Sequence, residues 1–145
     1  MPISVEPSRI VVADTGPLIA LGRIDALALL PKLFVRVDVT DTVIAECVVH
    51  PDLPDARAVT AAISAGWLTP CADVLNLADG NIHPGEASAI AHALETGIDL
   101  LMDDRAAVVF ARRLGLKVIG TLGILILAKR CGHLTHVAPL IERLR

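Results

Sequence analysis

Three acidic residues follow short apolar runs that have the composition of buried β-strands. Asp14 comes directly after residues 10–13, and Asp103 and Asp104 come directly after residues 100–102. Ligands of an α/β protein with a parallel sheet bind in the crevice beyond the carboxyl ends of its strands. The sequence therefore predicts that carboxylates from two distant segments of the chain face one crevice.

Two glutamates occupy helical positions that favour the same crevice. Glu86 begins a predicted helix and shares the apolar, sheet-facing stripe of that helix with Ile90, one turn later. Glu46 has a similar position on a helix predicted to begin at Thr40 or Asp41. A solvated glutamate would more naturally lie on the opposite face of either helix, which makes both glutamates candidates for the site.

A cluster of carboxylates is limited in the chemistry it can perform. Acidic groups brought together repel one another unless a cation compensates, and a site made of oxygen ligands suits Mg²⁺ or Mn²⁺. Zinc would require His or Cys, and the five histidines, which we interpret as surface or loop residues, lack ligand spacing. Two divalent ions about 4 Å apart, held by carboxylates, are typical of phosphodiester hydrolysis.

Each carboxylate also has a purely structural interpretation. Asp14 could accept hydrogen bonds in an Asx-turn, and Asp104 could cap a helix that begins at Arg105. Glu86 suits the positive end of a helix dipole. Four unrelated carboxylates would have no reason to converge on one edge of the sheet, which favours the functional interpretation.

The elements that must position these residues alternate between short apolar runs and longer helical patterns. This alternation is typical of βαβ units, and it predicts an α/β fold, a three-layer α/β/α sandwich with a mainly parallel central sheet. The length of 145 residues predicts a single domain over residues 1–145. Strands are predicted at 10–13, 34–37, 67–69, 100–102 and 116–119, and residues 70–84 are predicted to form one long loop.

Composition excludes several classes of protein. A hydrophobic fraction of 54% and a mean hydropathy of +0.64 exclude intrinsic disorder. The longest apolar run, residues 118–128, is shorter than the roughly 20 residues that a membrane span needs. The first residues show no secretory signal, and three widely separated cysteines are typical of reduced thiols. We therefore expect a cytoplasmic protein that does not contact a membrane.

The net charge of -3 hides a strong asymmetry. Residues 1–104 carry 5 basic and 15 acidic residues, whereas residues 105–145 carry 8 basic residues and 1 acidic residue. An acidic region that could hold cations is thus followed by a basic region suited to phosphates. Within the basic region, we interpret Arg112 and Arg113 as charges that favour a helix C-terminus. Aromatic residues make up 2%, so a nucleic acid would be held by its backbone with little base stacking.

Other motifs do not lead to a function. Asp14, Thr15 and Gly16 spell the DTG motif of aspartic proteases, but that motif belongs to an all-β fold. The sequence contains no Walker loop, GxGxxG or GxSxG motif. Cys47 has no evident base partner, so it is not predicted to be a nucleophile.

With these residues identified, the chain resembles the PIN-domain ribonucleases. It is most similar to their small prokaryotic branch, which contains VapC-like toxins and related stand-alone PIN proteins. The resemblance covers nearly the whole chain and is carried by four segments, VVADTGPLIAL (11–21), VTDTVIAE (39–46), PGEASAIAHALETGIDLLMDDRAA (84–107) and VIGTLGILILAKRCG (118–132).

The resemblance implies that Asp14, Glu46, Glu86 and Asp104 are the catalytic and metal-binding acids. It further implies a Mg²⁺- or Mn²⁺-dependent endoribonuclease with a two-metal site and RNA as its substrate. Members of this branch are often toxins neutralised by a cognate antitoxin, and they are commonly homodimers. The chain departs from the family where Glu86 stands in place of a frequent Asp, and where Met102 stands in place of a frequent Thr.

Four neighbouring residues are expected to assist these acids. Asp103 is the alternative to Asp104 as a metal ligand, because adjacent side chains on a strand point to opposite faces. Thr15 and Thr121 are expected to support the site through their hydroxyls, although Thr121 could equally be a simple helix N-cap. Arg105 follows the predicted site acid and is expected to bind a phosphate of the substrate.

Two functions of other classes also fit these residues. The chain could be a non-catalytic PIN-fold interaction module whose acids serve only as helix caps. It could also be a phosphohydrolase that acts on small phosphate esters. Comparing nucleoside monophosphates with RNA as substrates separates the last function from a nuclease.

Overall fold

The computed structural model describes residues 9–74 and 82–145, and within them a parallel sheet lies between two layers of helices. The sheet has five strands in the order β3-β2-β1-β4-β5, and each neighbouring pair is parallel. The strands are β1 (Ile10–Ala13), β2 (Arg36–Thr40), β3 (Thr69–Cys71), β4 (Asp99–Leu101) and β5 (Val118–Ile119). The predicted three-layer α/β/α sandwich is confirmed.

Eight α-helices of the described ranges connect and cover these strands. They are α1 (Thr15–Arg23), α2 (Leu30–Leu33), α3 (Asp41–Cys47), α4 (Pro54–Ser64), α5 (Pro84–Thr96), α6 (Arg105–Arg113), α7 (Thr121–Arg130) and α8 (Ala138–Leu144). None of these described helices is long and apolar enough to cross a membrane.

The two faces of the sheet pack against different helices. Because successive side chains of a strand point to opposite faces, Val11 and Ala13 of β1 belong to one hydrophobic core and Val12 belongs to the other. The first core includes side chains of α1 and α7, such as Leu18 and Leu125. The second core is built from α5 and α6. The sheet therefore separates the α1/α7 layer from the α5/α6 layer.

The order of the strands reverses at β1, and this creates the crevice. The chain runs from β1 outward to β2 and β3 on one side, and β4 and β5 extend the sheet on the other side. Helices leave the sheet in opposite directions at such a switch point, which opens a crevice at the carboxyl edge. The N–H of Asp14 donates to the carbonyl oxygen of Leu101 at 2.9 Å, so the first residue after β1 lies beside the end of β4.

Two predicted strands are displaced by two residues along the chain, and the strands predicted at 100–102 and 116–119 lie at Asp99–Leu101 and Val118–Ile119. The strand predicted at 34–37 lies at Arg36–Thr40, and that predicted at 67–69 lies at Thr69–Cys71. Phe34 is 1% exposed, but it precedes β2 and fills the core from outside the strand. The strand instead continues through polar residues whose side chains find partners in α5, as described below. The short helix α2 and the 3-10 turn Leu27–Leu29 before it were not predicted.

Part of the predicted long loop lies outside the described residues. Of residues 70–84, positions 75–81 are not described, and β3 and the start of α5 take up both ends of the range. The N-terminal residues 1–8, where no signal sequence was predicted, also lie outside the described part.

Helix α7 offers a matched test of the layer assignment. Leu125 is fully buried in the α1/α7 layer, whereas Leu122 of the same helix is 51% exposed. Leu125→Ala should lower the free energy of unfolding by about 2–5 kcal/mol, since it removes buried methylenes and leaves a cavity. Leu122→Ala should change it by less than about 1 kcal/mol. Urea unfolding measures both variants, and equal losses would contradict the packing described.

Candidate active site

Asp14 is the most enclosed acid of the crevice. It follows β1, is 3% exposed and is held against β4 by its backbone hydrogen bond to Leu101. Within the described residues, its buried Oδ1 has no hydrogen-bond partner. A buried carboxylate oxygen without a donor is unfavourable by about 1–3 kcal/mol or more, so this oxygen is the position where a cation would be most stabilising.

The environment of Asp14 opposes its ionisation. Burial is the main cause that raises the pKa of Asp14 from 3.8 to about 7, and the nearby charges of Glu86, Glu46 and Asp103 contribute to the same increase. The backbone N–H of Thr15 acts the other way. A bound cation would reverse this balance, because an adjacent positive charge favours the ionised carboxylate.

Glu46 is held by donors from two other helices. The Thr15 hydroxyl donates to its Oε1 at 2.7 Å, and the N–H of Gly85 donates to its Oε2 at 2.9 Å. A Cβ at position 85 would collide with this carboxylate, so any residue larger than glycine there would force the Glu46 side chain to move. The Thr15 hydroxyl, which was expected to support the site, is thus bonded to Glu46.

Glu86 lies in the first turn of α5 and points into the crevice. It is 7% exposed, and its Oε1 accepts the N–H of His83 at 3.0 Å. Burial raises the pKa of Glu86, and the charges of Asp104 and Glu46 act in the same direction. Glu86 is therefore a buried acid in the first turn of a helix, where the helix dipole favours a negative charge, and it lines the cavity described below.

The adjacent acids Asp103 and Asp104 have different partners. Asp104 lines the crevice, and its Oδ2 accepts the N–H of Ala107 at 3.0 Å, which caps α6. Asp103 accepts the N–H of Thr121 at 2.7 Å and the Thr121 hydroxyl at 2.5 Å. A Cβ at Gly120 would lie 2.9 Å from Asp103 Oδ1. Asp104 is therefore the acid that faces the cavity, whereas Asp103 attaches the end of β4 to the start of α7.

Thr121 differs in one respect from its prediction. Gly120, not Thr121, is the N-cap residue of α7, so the interpretation of Thr121 as a simple N-cap is wrong. Thr121 is 5% exposed, and its hydroxyl serves as a donor to Asp103.

The acids meet in one cavity of about 350 Å³. Its lining residues come from the segments that follow β1 and β4 and from α3 and α5, and they are Asp14, Thr15, Gly16, Glu46, His83, Pro84, Glu86 and Asp104. Asp103 stands close enough for its charge to raise the pKa of Asp14. Arg105, the first residue of α6, is exposed beside this cavity and does not line it.

The donor set of the cavity fits a hard divalent cation. Its four acidic side chains offer oxygen ligands, which Mg²⁺ and Mn²⁺ prefer, and Asp14 contributes a buried oxygen without a partner. Among the residues the structure describes, no group of three or more His, Cys, Asp or Glu side chains is placed so that it could hold a metal ion. Both carboxylate oxygens of Glu46 accept one hydrogen bond each, which fixes the direction of this side chain.

Sequence reasoning missed a buried polar strip between β2 and α5. Asp38 is 3% exposed, lies 2.9 Å from His92 Nε2 and accepts the Arg36 Nε–H at 2.7 Å. His92 is 7% exposed, so its interpretation as a surface or loop residue is wrong. A signal was present in the sequence, because Arg36, Asp38 and Thr40 alternate with Val37 and Val39, which places polar side chains on one face of the strand.

Thr40 and Ser88 continue this polar strip and connect it to Glu46. The hydroxyls of Thr40 and Ser88 lie 2.7 Å apart, and the Ser88 hydroxyl donates to the Gly85 carbonyl at 2.8 Å. Thr40 Oγ1 also accepts the N–H of Val43, which caps α3. Since Gly85 donates to Glu46, these bonds connect the start of α3, the start of α5 and Glu46 in one ring.

The thiols near these residues are not nucleophiles. Cys71 Sγ lies 3.8 Å from His92 Nδ1, but burial and the charge of Asp38 raise the pKa of Cys71 to about 11. Burial raises the pKa of Cys47 to about 12. Both thiols are therefore protonated at neutral pH, and a thiolate mechanism is not supported at either position.

Comparisons with known proteins agree on one fold. A family model described as a PIN domain, DUF3368, matches residues 10–145. Among solved structures, a PilT N-terminus domain protein from the hyperthermophilic archaeon Sulfolobus solfataricus P2 is similar, with a TM-score of 0.63 and 20% identity over 88% of this chain and 98% of that one. No curated protein matches the sequence. At this identity, the structural likeness shows the shared fold.

The raised pKa of Asp14 predicts how stability depends on pH. Asp14 binds its proton more tightly in the folded state than in the unfolded state, so stability falls as pH rises from about 4 through 7. Asp14→Asn removes this loss and should stabilise the metal-free protein above pH 7, by up to about 4 kcal/mol, with a smaller gain near pH 5. Urea unfolding in a chelator measures the gain. Asp52→Asn, an exposed loop substitution, is the control, and a gain for Asp14→Asn that does not change with pH would contradict the prediction.

The Thr40 hydroxyl has a predicted structural role that two variants separate. Thr40→Val removes the acceptor of the Val43 N–H and the partner of Ser88, and should lower the free energy of unfolding by about 1–3 kcal/mol. Thr40→Ser keeps the oxygen and should lose less. Thr60→Val is the control, because that hydroxyl bonds only within α4. Equal losses for Val and Ser at position 40 would show that the hydroxyl contributes nothing.

Proposed function

Because the chain belongs to the PIN-domain family, we propose that it is a metal-dependent endoribonuclease that hydrolyses RNA phosphodiester bonds. Membership of the family indicates a nuclease-type hydrolase, and the RNA substrate and the choice of Mg²⁺ or Mn²⁺ are our proposal. The observation that carries it is the convergence of four carboxylates on one cavity, with a buried Asp14 oxygen that has no partner among the described residues.

We assign the metal ions to Asp14, Glu46, Glu86 and Asp104. Bound Mg²⁺ or Mn²⁺, predicted as two ions, supplies activation of water and stabilisation of the charge that develops on the leaving oxygen. Asp104 is favoured over Asp103 as the fourth ligand because Asp104 lines the cavity. Asp103 contributes its negative charge nearby and keeps β4 attached to α7.

The remaining residues of the site orient these acids and the substrate. Thr15 and Gly85 direct both oxygens of Glu46, and such outer hydrogen bonds commonly tune metal affinity. Thr121 holds Asp103 in the same manner. Arg105 is exposed beside the cavity, where its guanidinium could contact a substrate phosphate in two hydrogen bonds.

Finer features of the resemblance stay predictions. They are a toxin role, a cognate antitoxin as partner, a homodimer and a cytoplasmic location. Their support is the similarity of the sequence to VapC-like toxins.

The proposal predicts RNA cleavage that depends on a divalent cation and on Asp14. Purified protein should cleave labelled RNA with Mg²⁺ or Mn²⁺ and not with EDTA. Asp14→Asn should lower the rate by more than about 100-fold, since loss of a ligand should cost at least as much as loss of its outer partners. Calorimetry should show saturable Mn²⁺ binding by the wild type and none by Asp14→Asn. Asp52→Asn, which removes one exposed acid elsewhere, should preserve both properties.

Three results would contradict the proposal in different ways. Cleavage that survives both EDTA and Asp14→Asn would exclude the metal mechanism. A wild type that neither binds Mn²⁺ nor cleaves RNA would favour the non-catalytic interaction module. Hydrolysis of nucleoside monophosphates with RNA left intact would favour a phosphohydrolase of small esters.

A further inference from the structure

Every charged residue of α6 is an arginine, and all of them point outward. The helix buries Ala107 and Ala111 against the sheet, whereas Arg105, Arg112 and Arg113 are exposed. Arg105 and Arg112 are seven residues apart, so they lie on the same side of the helix at a distance of about 10.5 Å along its axis. These three arginines define an arginine face that runs the length of α6.

The helix dipole does not explain this face. Cations favour a helix C-terminus, which accounts for Arg112 and Arg113, but a cation at the first helical position faces the positive end of the dipole. Arg105 occupies that position. Moreover, none of the three guanidinium groups lies within 4 Å of a carboxylate among the residues that the structure describes. The arginines are therefore available to an external anion.

The arginine face begins at the edge of the acidic cavity. Asp104 both lines the cavity and caps α6, so Arg105 follows the cavity directly in the chain. From there the face leads away from the cavity toward the opposite edge of the sheet. No acidic residue occurs between positions 105 and 141. Along α6 itself, the only charged side chains that an approaching anion meets before it reaches Asp104 are cationic.

The geometry points to α6 as the surface that binds the RNA backbone next to the cleavage site, an inference that rests on the proposed function. Without bound metal ions, a cavity with four carboxylates repels phosphates, so a polyanionic substrate needs cations beside the cavity. Arginine is suited to this task because its guanidinium binds phosphate in a bidentate manner. The molecule that binds the arginine face is single-stranded RNA. It is held by consecutive phosphates, because the chain has few aromatic residues for base stacking.

A pair of matched double variants tests this surface. Arg112→Gln with Arg113→Gln removes two cations from the C-terminal turn of α6. Lys129→Gln with Arg130→Gln removes two from the C-terminal turn of α7, which lies in the other helix layer. The two pairs change net charge and helix-end charge equally. Both are made in the Asp14→Asn background, so that RNA is bound without being cleaved.

Fluorescence anisotropy with a labelled single-stranded RNA of about 12 nucleotides measures binding over a series of salt concentrations. Each phosphate contact to a single strand contributes about 0.7 to the slope of log affinity against log salt. Loss of two contacts in the α6 pair should lower that slope by about 1.4 and weaken binding about 25-fold at about 0.1 M salt. The α7 pair should keep the parent slope and an affinity within about twofold of the parent.

The outcomes distinguish this surface from the proposed function. Equal losses in the two pairs would overturn the assignment of α6, because only bulk charge would then matter. An unchanged slope in the α6 pair would also overturn it and leave the face to another anion, such as an acidic protein. If wild-type protein cleaves RNA while either of these results is found, the nuclease function is supported and the assignment of α6 as the RNA-binding surface is wrong. If the parent protein neither binds nor cleaves RNA, the proposed function itself fails.

Discussion

Carboxylates that converge on one cavity repel each other, and much of the surrounding structure serves to hold them together against that repulsion. The parallel pairing of β1 with β4 brings Asp14 and Asp104 to the same edge of the sheet. Glu46 and Glu86 arrive from α3 and α5. Because α5 spans β1, β2 and β4, its position relative to the sheet decides how closely these four charges approach.

Backbone amide groups supply most of the compensation that the structure shows. Gly85, His83, Ala107 and Thr121 each direct an N–H at a carboxylate oxygen of the cluster. These donors belong to the first turns of helices, whose N–H groups lack intrahelical acceptors and carry the positive end of the helix dipole. Asp14 is the exception, because one of its oxygens is buried without such a donor. The site is thus stabilised at its periphery and left electrostatically unfavourable at its centre, which is the usual compromise where stability is traded for function.

The distribution of charge in the fold refines what the net charge suggested. The acidic part of the sequence supplies the cavity, and α6 carries cations outward from its edge. The lysine and arginine at the end of α7 lie in the other layer. The cations of α6 and those at the end of α7 therefore lie on different faces of the molecule, and those of α6 begin beside the cavity.

The residue pattern was sufficient to predict the layered α/β fold and the four converging acids, because both depend on local properties. Apolar runs that end in an acid mark the carboxyl ends of buried strands, and Glu86 on an apolar helical stripe marks a glutamate that faces the sheet. The sequence pattern did not predict which side chains of distant elements contact each other. Asp38, Thr40, Ser88 and His92 have no spacing that predicts their contacts, and Asp38 and Thr40 interrupt the apolar pattern by which a strand is found.

The difference between Asp103 and Asp104 separates what the sequence predicts from what only the tertiary structure decides. Alternation along a strand predicts that only one of two adjacent side chains enters the crevice, but it does not say which. The position of α7 decides this, because the N–H and the hydroxyl of its first residue, Thr121, donate to Asp103. Asp104 instead caps α6 and lines the cavity. The types and order of the residues thus set the kind of chemistry that is available, and the packing of helices from distant segments decided which oxygen atoms face it.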